Sequence, residues 1–450
     1  MKWATVALSP RLAKVIRGVS FDGSESSPVP LPGYLPILRA GNIAQCLDTD
    51  NDLVWVPEER VSSEQILKLG DIVIAMSSGS ANVVGKTAQL HHAWSGSVGA
   101  FCAIIRPLEA VNEAYLAYWF LGPTFTAWRQ SQCMGLNIKN LRKAEIESIE
   151  IPLPPLSEQR RIVEILDQAD ALRKKRAEAD AKAARILPSL FYKMFGDLAT
   201  NPKGWPTKRL GDPQVATINP RFSCDNVSAD TEFSFVPMAD VDEIWGRIVG
   251  TQVRTYSKVM RGFTSFKDGD VLFAKITPCM QNGKAAIARN LVGGCGFGST
   301  EFHVLRASAE ATPEWLYALV RMPWFRHQAE TSFTGTAGQQ RVPVDFLVRY
   351  KVPCPPIDLQ KTFAKHVTHI DEWVERSEII RRKVENLFSV LLHRAFTGNL
   401  TAKWREAHMK ELLQEMEQQA KALKIDDFRL PIEEETKSSI INHRSEIPHG

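Results

Sequence analysis

Ser77 to Gln89, SSGSANVVGKTAQ, follows the apolar run DIVIAM and carries the residue types of a phosphate-binding loop. A Walker A loop spaces a glycine four residues ahead of Gly-Lys-Ser/Thr, between a strand and a helix, so that backbone N–H groups and the lysine cradle phosphates. Gly85-Lys86-Thr87 supply the second half, but Ser80 stands where the first glycine belongs and Gly79 is one residue early. Two other stretches hint at methyl transfer to DNA. INPRF, Ile218 to Phe222, resembles the Asn-Pro-Pro-aromatic loop that holds a flipped adenine, with Arg221 in place of the second proline. GGCGFGS is the one glycine cluster suited to adenosylmethionine, yet it runs into a β-type segment instead of a helix. Seven cysteines and ten histidines lie scattered, without a CxxC pair, a zinc spacing or a nucleophile–base set. The chain therefore carries no expected catalytic residue, metal ligand or cofactor of its own.

The elements that hold these stretches follow from bulk properties and a repeat. A chain of 450 residues is too long for one ordinary core and suggests two or three domains. With 44% hydrophobic and 24% charged residues it reads as soluble and globular. It lacks an apolar run of about 18 residues, so no membrane partner is expected. The start lacks the pattern of a signal peptide, and scattered reduced thiols fit a cytoplasmic protein. A formal net charge of +4 is a weak pointer to nucleic acid, unless the bases gather on one face.

The chain is written twice. Pro152, Pro154, Pro155, Gln159 and Asp170 recur as Pro353, Pro355, Pro356, Gln360 and Asp371, each 201 positions later. GDIVIAM (Gly70 to Met76) matches GDVLFAK (Gly269 to Lys275), and Trp3 and Leu8 are spaced like Trp205 and Leu210. The repeat also disposes of the phosphate loop: its counterpart, ITPCMQNGKAA, keeps only Gly283-Lys284, and no Walker B strand exists. A strand, a turn and a second strand are expected there. Each globule alternates short β-type runs with Gly, Pro, Ser and Asn, then one helical stretch, Glu113 to Arg129 or Pro313 to Ala329, whose aromatics read as core. These are mixed α/β domains around a curved sheet.

Two long helices follow the globules. Ile162, Leu166, Leu187 and Leu190 in the first, and Phe363, Val367, Ile370, Val374, Val384 and Leu391 in the second, recur at steps of three and four, a coiled-coil seam. Ser157 and Asp358 suit N-caps, and Gly196 and Gly398 suit stops. Arg173, Arg176 and Asp180 interrupt the first seam, mostly as a solvated face, and Pro188 should kink that helix or end its regular part. The domains are expected at 1–155 and 201–355, the helices at 156–200 and 356–401, and a polar tail at 402–450.

Globule, long helix, globule, long helix, with PLPPLSEQ and PCPPIDLQ opening the helices and AFTGNLTAKW closing the second, strongly resembles the DNA specificity subunit of type I restriction-modification systems. The likeness spans roughly Met1 to Arg405. It implies two target recognition domains separated by an antiparallel coiled coil that sets the gap in an asymmetric bipartite DNA target. It also implies a subunit that is not an enzyme, serving two methyltransferase subunits and restriction subunits that would hold the adenosylmethionine, ATP and magnesium. A self-contained adenine methyltransferase and a coiled-coil scaffold without DNA binding are the rival readings.

Double-stranded DNA would be read by side chains able to bond base edges or phosphates. One candidate loop in each domain is the Gly-Lys turn, with Ser77, Ser78, Asn82 and Lys86, or Lys275, Thr277, Gln281, Asn282 and Lys284. The other precedes the last strand, with Asn137, Lys139 and Asn140, or Gln340 and Arg341. The bland alternative is that all are solvated loop residues.

Overall fold

A computed structural model describes residues 3–44, 46–80, 82–133, 140–220, 227–250, 252–336 and 338–424. Asn137, Lys139, Arg221 and Phe222 lie outside the described residues. Met1–Lys174 with Arg382–Gly450 form one compact unit, and Lys175–Arg381 form the other.

The first unit runs through β1 (Thr5–Ala7), β2 (Ala13–Arg17), β3 (Tyr34–Leu38), β4 (Val54–Pro57), β5 (Ile72–Ala75), β6 (Thr87–Gln89), β7 (Ser97–Val98) and β8 (Cys102–Pro107). Helices α1 (Glu113–Leu121), α2 (Pro123–Cys133) and α3 (Lys143–Glu147), strand β9 (Glu150–Pro152) and the start of α4 (Leu156–Ala183) follow. The second unit takes the end of α4, then α5 (Ile186–Phe195), β10 (Thr207–Arg209), β11 (Ala216–Ile218), β12 (Glu232–Val236), β13 (Gln252–Thr255), α6 (Tyr256–Val259) and β14 (Thr264–Lys267). It continues with β15 (Val271–Ala274), β16 (Ala285–Ile287), β17 (Cys295–Gly298), β18 (Phe302–Ala307), α7 (Pro313–Arg321), α8 (Pro323–Thr331), α9 (Val344–Arg349) and β19 (Lys351–Pro353). Helix α10 (Ile357–Phe396) returns the chain to the first unit, where α11 (Ala402–Ala407) and α12 (Met409–Leu423) pack.

The written repeat is a repeat of topology. An antiparallel sheet of order β2-β8-β5-β6 in the first unit answers β11-β18-β15-β16 in the second. The β4-β3-β7 sheet answers β13-β12-β17-β14, and both contain one parallel pair, β3 with β7 and β12 with β17. Two-stranded ladders β1-β9 and β10-β19 tie the start of each globule to the segment before its long helix. β5 and β15 (IVIA, VLFA) are buried at every residue, as expected of apolar runs in the middle of a sheet. The single helical stretch expected after each sheet is two helices, because Pro123 and Pro323 each begin a new one. A proline has no N–H to give the preceding turn, so it starts a helix more readily than it continues one. The aromatics there are core: Tyr115, Trp119 and Phe120 in one unit and Trp315 and Tyr317 in the other are buried.

Both units close by one device, and it explains the shared Pro-Pro…Gln motif. Gln159 and Gln360 are wholly buried. Gln159 accepts from the backbone N–H of Asn112 at 2.7 Å and donates to the Pro154 carbonyl at 2.8 Å. Gln360 accepts from the Thr312 N–H at 3.0 Å and donates to the Pro355 and Glu310 carbonyls at 2.8 and 2.9 Å. Asn112 and Thr312 are themselves the N-caps of α1 and α7. One amide thus fixes the start of a long helix to the start of a domain helix, satisfying buried backbone groups that would otherwise be costly. A second pair is shared as well: Arg106 with buried Asp71, and Arg306 with buried Asp270, both at 2.7 Å.

The long helices run antiparallel within each unit. In the first, Ile162 and Leu166 of α4 share a core with Phe388, Leu392 and Ala395 of α10, and Leu391 packs against it. In the second, Phe191 and Phe195 of α5 meet Phe363 edge-to-face at 5.8 and 5.1 Å, with Val367 alongside and Leu187 and Leu190 partly buried. Val374 is buried, while Ile370 and Val384 are half-buried. Arg173 and Arg176 do not break the packing. The Arg173 guanidinium lies 4.2 Å from the Phe388 ring centre and Arg176 lies 5.7 Å from that of Trp373, so the apolar seam continues as arginine over aromatic. Pro188 acts upstream of itself: α4 ends at Ala183, and the ring of residue i forbids the carbonyl bond at i−4, which is Ala184. Ser157 and Asp358 are not caps. Helices α4 and α10 begin one residue earlier, and the Ser157 N–H and hydroxyl instead donate to Glu415 of α12. That carboxylate caps the start of α4, where an anion is favoured.

Candidate nucleic-acid interface

The two loops nominated separately are neighbours. In the first unit Ser77 bridges to Asn140, and the Leu141 N–H donates to the Met76 carbonyl at 2.7 Å. In the second, Ile276 bridges to Arg341, the Thr277 N–H donates to the Gln340 carbonyl at 3.0 Å, and Val342 N–H to Lys275 at 2.9 Å. Each Gly-Lys turn joins two antiparallel strands, β5 to β6 and β15 to β16. No helix follows, so a phosphate-loop geometry is ruled out. Gly85 and Gly283 adopt φ of +75° and +78°, which is why a glycine precedes each lysine.

The candidates differ in how firmly they are held. Ser77 and Ser78 are half-buried, and Asn82, Lys86 and Asn140 are exposed. In the second unit Thr277 donates to Gln281, Gln281 donates to Glu330, and the Gln281 carbonyl accepts from Arg326. Asn282 donates to Glu243 at 3.2 Å, and Lys284 reaches the Met238 carbonyl at 3.4 Å. Arg341 makes a bidentate pair with Glu301 at 2.9 Å through both Nε and Nη2, which holds the Glu301 carboxyl below its usual range. Its Nη1 also donates to the Gln339 carbonyl at 2.9 Å, so the fork is aimed with three of its five donors already used. The second unit presents a prearranged network of amides, carboxylates and two arginines, Arg326 and Arg341. The first presents shorter side chains.

Position 101 is the residue that sequence reasoning missed. The Phe101 carbonyl accepts from Met76 and Ser77 N–H groups, and its ring is 69% exposed beside Ser77. Glu301 fills the matching place, its carbonyl accepting from Lys275 N–H at 2.9 Å. An unpaired phenylalanine beside polar reading loops suits contact with a thymine methyl or a base face, whereas a carboxylate there suits a cytosine amino group. The exposure of the ring could not be read from the string AFCAII, which looks like continuous strand.

The methyl-transfer motifs are put to structural use. Asn219 sits at φ +48°; its side-chain oxygen accepts from the Val304 N–H at 2.9 Å, and its amide meets His303 at 3.1 Å. The Cys295–Gly298 part of GGCGFGS is β17, which pairs with β12 and β14. Among the described residues no cluster of three or more His, Cys, Asp or Glu could hold a metal ion, and no helix is long and apolar enough to cross a membrane.

Residues 32–180 match the family model described as type I restriction modification DNA specificity domain. The type I restriction enzyme StySPI specificity subunit of Salmonella potsdam is 28% identical over 435 residues, covering 90% of each chain. The EcoKI specificity subunit of Escherichia coli K12 is 27% identical over 441 residues, again 90% of each. The EcoEI specificity subunit of Escherichia coli is 34% identical over 212 residues, 45% of this chain and 35% of that one. Residues 32–180 thus carry a type I restriction modification DNA specificity domain, and the chain as a whole, written as a repeat of matching topology, is similar over 90% of its length to type I restriction enzyme specificity subunits.

Proposed function

We propose that each unit reads one half of a split DNA target through its paired loops, and that the two halves differ. The observation that carries this is the same loop pairing on the same sheet frame with different side chains: Ser77, Phe101 and Asn140 in one unit, Thr277, Glu301, Gln340 and Arg341 in the other. A common frame positions the loops, and unlike side chains specify unlike bases. The chain then contributes recognition, while partner subunits carrying adenosylmethionine methylate the target and ATP-driven, magnesium-dependent subunits cleave it. Two modification subunits suit a chain whose helix starts are built twice.

The test is a salt-dependent mobility shift of the full chain with its modification subunit on duplexes carrying the methylated motif of the source cell. Binding that weakens linearly in log salt, and that fails when either half-motif is scrambled, is expected. Equal binding to scrambled duplex refutes the reading. Within that assay Phe101→Ala should relax discrimination at one base of one half-site by about 1–3 kcal/mol, leaving the other half unchanged. Lys86→Ala should lower the salt slope by about one without altering sequence preference, if Lys86 meets a phosphate.

A further inference from the structure

The first unit holds an open cavity of about 780 Å³ between α1, α2, the β6 edge, α4 and α10. In the second unit the chain fills the matching place itself. There the Val241–Ile248 bridge closes a loop, Asp242 to Arg247, three residues longer than the one closed by the Ile43–Leu47 bridge. Its backbone is held from α7: the Tyr317 hydroxyl donates to the Trp245 carbonyl at 2.9 Å, and Arg321 donates to the carbonyls of Glu243 and Ile244 at 3.0 and 2.7 Å. The Trp245 indole meets the Trp373 ring edge-on at 6.5 Å, and Arg247 reaches Glu378 at 3.8 Å.

The first unit lacks the plug and the side chains that grip it. Ala117 and Leu121 stand on α1 where Tyr317 and Arg321 stand on α7, and exposed Leu172 stands where Trp373 does. Small side chains on one wall and a shorter loop on another leave room for a peptide loop. The remaining wall is acidic by one formal charge. Asp167, Asp170 and Glu385 face Arg173 and Lys174, and both cations are bonded to Asp170. Asp167 accepts from the uncharged Tyr118 hydroxyl at 2.7 Å. A cation beside an aromatic group would find here the carboxylates of Asp167 and Glu385 and the rings of Tyr118 and Phe388, in place of the Glu378 and Trp373 that Arg247 and Trp245 find in the other unit.

We propose that this cavity receives, from a second protein, a short polypeptide segment bearing a tryptophan or phenylalanine beside an arginine or lysine. The segment supplies in trans what residues 242–247 supply in cis to the second unit. The first unit thereby gains an attachment point that the second, already filled, cannot offer. This holds whatever DNA the chain reads, because no reading-loop side chain at Ser77, Phe101 or Asn140 lines the cavity.

The probe is a fluorescein-labelled peptide with the sequence of residues 241–248, Val-Asp-Glu-Ile-Trp-Gly-Arg-Ile, titrated with the full chain and followed by anisotropy. Saturable binding at one site per chain is expected, with the same peptide carrying alanine for tryptophan at least about tenfold weaker. Ala171→Trp, at an exposed position on the cavity wall, should abolish binding at unchanged circular dichroism and melting. Ala117→Trp should do the same from the opposite wall. Absence of saturable binding, or binding indifferent to both substitutions, overturns the proposal. Self-association of the chain that both substitutions abolish also overturns it, by giving the cavity to a second copy.

Discussion

The two units share a frame and differ in what they do with one buried position. At the start of α10, Leu359 packs on the second unit's core, and Trp205 donates to the Phe195 carbonyl of the preceding helix end at 2.8 Å. At the start of α4 the matching residue is Glu158, wholly buried. It accepts from the Trp3 indole at 3.1 Å and the Thr401 hydroxyl at 2.6 Å, and pairs with Arg405 at 2.7 Å. The reason lies in connectivity. In the second unit the stretch from Phe195 to Trp205 is continuous chain, whereas in the first Trp3 and the α10 exit belong to opposite ends of the sequence. Charge-assisted bonds do there what a covalent connection does in the other copy. The last residues of AFTGNLTAKWR therefore read as parts of a lock: Thr401 and Arg405 bond Glu158, and Arg405 also donates to the Gly398 carbonyl at 2.7 Å.

The comparison breaks most visibly at the level of function. Replacing residues 1–150 by the corresponding domain of another specificity subunit should change one half-site completely and leave the other intact. Methylome sequencing reads the outcome, and changes in both halves would show that the units do not read independently.

The lock gives the next largest effect. Glu158→Ala leaves the Arg405 guanidinium buried without its partner and should cost about 3–5 kcal/mol in urea unfolding. The double substitution Glu158→Leu with Arg405→Leu should recover much of that loss, since the second unit holds its helix start with a leucine. A double variant as unstable as Glu158→Ala would mean that the charge itself, and not the packing, joins the chain ends.

A smaller and matched pair comes from the glutamines. Gln159→Ala and Gln360→Ala should each cost about 1–3 kcal/mol, because each strands one buried N–H and at least one carbonyl. Hydrogen exchange separates the units: protection should fall around Asn112 in the first variant and around Thr312 in the second. Equal losses sharpen the likeness of the frames, and a loss in only one would end it.

Those glutamines also mark what could be read in advance. Their recurrence 201 positions apart was plain, and so were the alternating globules and helices, because composition and spacing encode them directly. Their task was not, since it depends on Asn112 and Thr312, nearly fifty residues away along the chain. The nearness of Ser77 to Asn140 and of Thr277 to Gln340 is hidden for the same reason: sheet register brings them together. Arg173 and Arg176 read as interruptions because a periodicity count sees charge and not the rings of Phe388 and Trp373 beneath them. The helix break at Pro123 was legible from proline chemistry and was masked by the apolar run before it. The Trp245 loop carries no periodic signal at all, and only its carbonyl bonds to Tyr317 and Arg321 reveal its role.

The smallest expected difference between the units is one of pH. His303 is buried in β18 with its ring bonded to the Val342 carbonyl at 2.8 Å, and Ala103 occupies the matching place in β8. Burial pushes the His303 pKa below its ordinary value, the carbonyl bond opposing it only partly. Below about pH 6.5 the unfolded chain therefore takes up a proton that the folded chain refuses, and stability falls as the pH drops. Above that value the contribution is fully present. Amide exchange in Phe302–Ala307 should accelerate between pH 7 and pH 5, after correction for intrinsic rates, by more than in Cys102–Pro107. His91 shares the lowered pKa in the first unit, from partial burial at the cavity rim, so some acceleration is expected there too. His303→Gln keeps a donor for the Val342 carbonyl and cannot titrate, and should remove the excess in β18. An excess that survives it would place the acid-sensitive group elsewhere in the second unit, though not at Asp371, whose pKa burial raises, so that its protonation on acidification favours the folded chain.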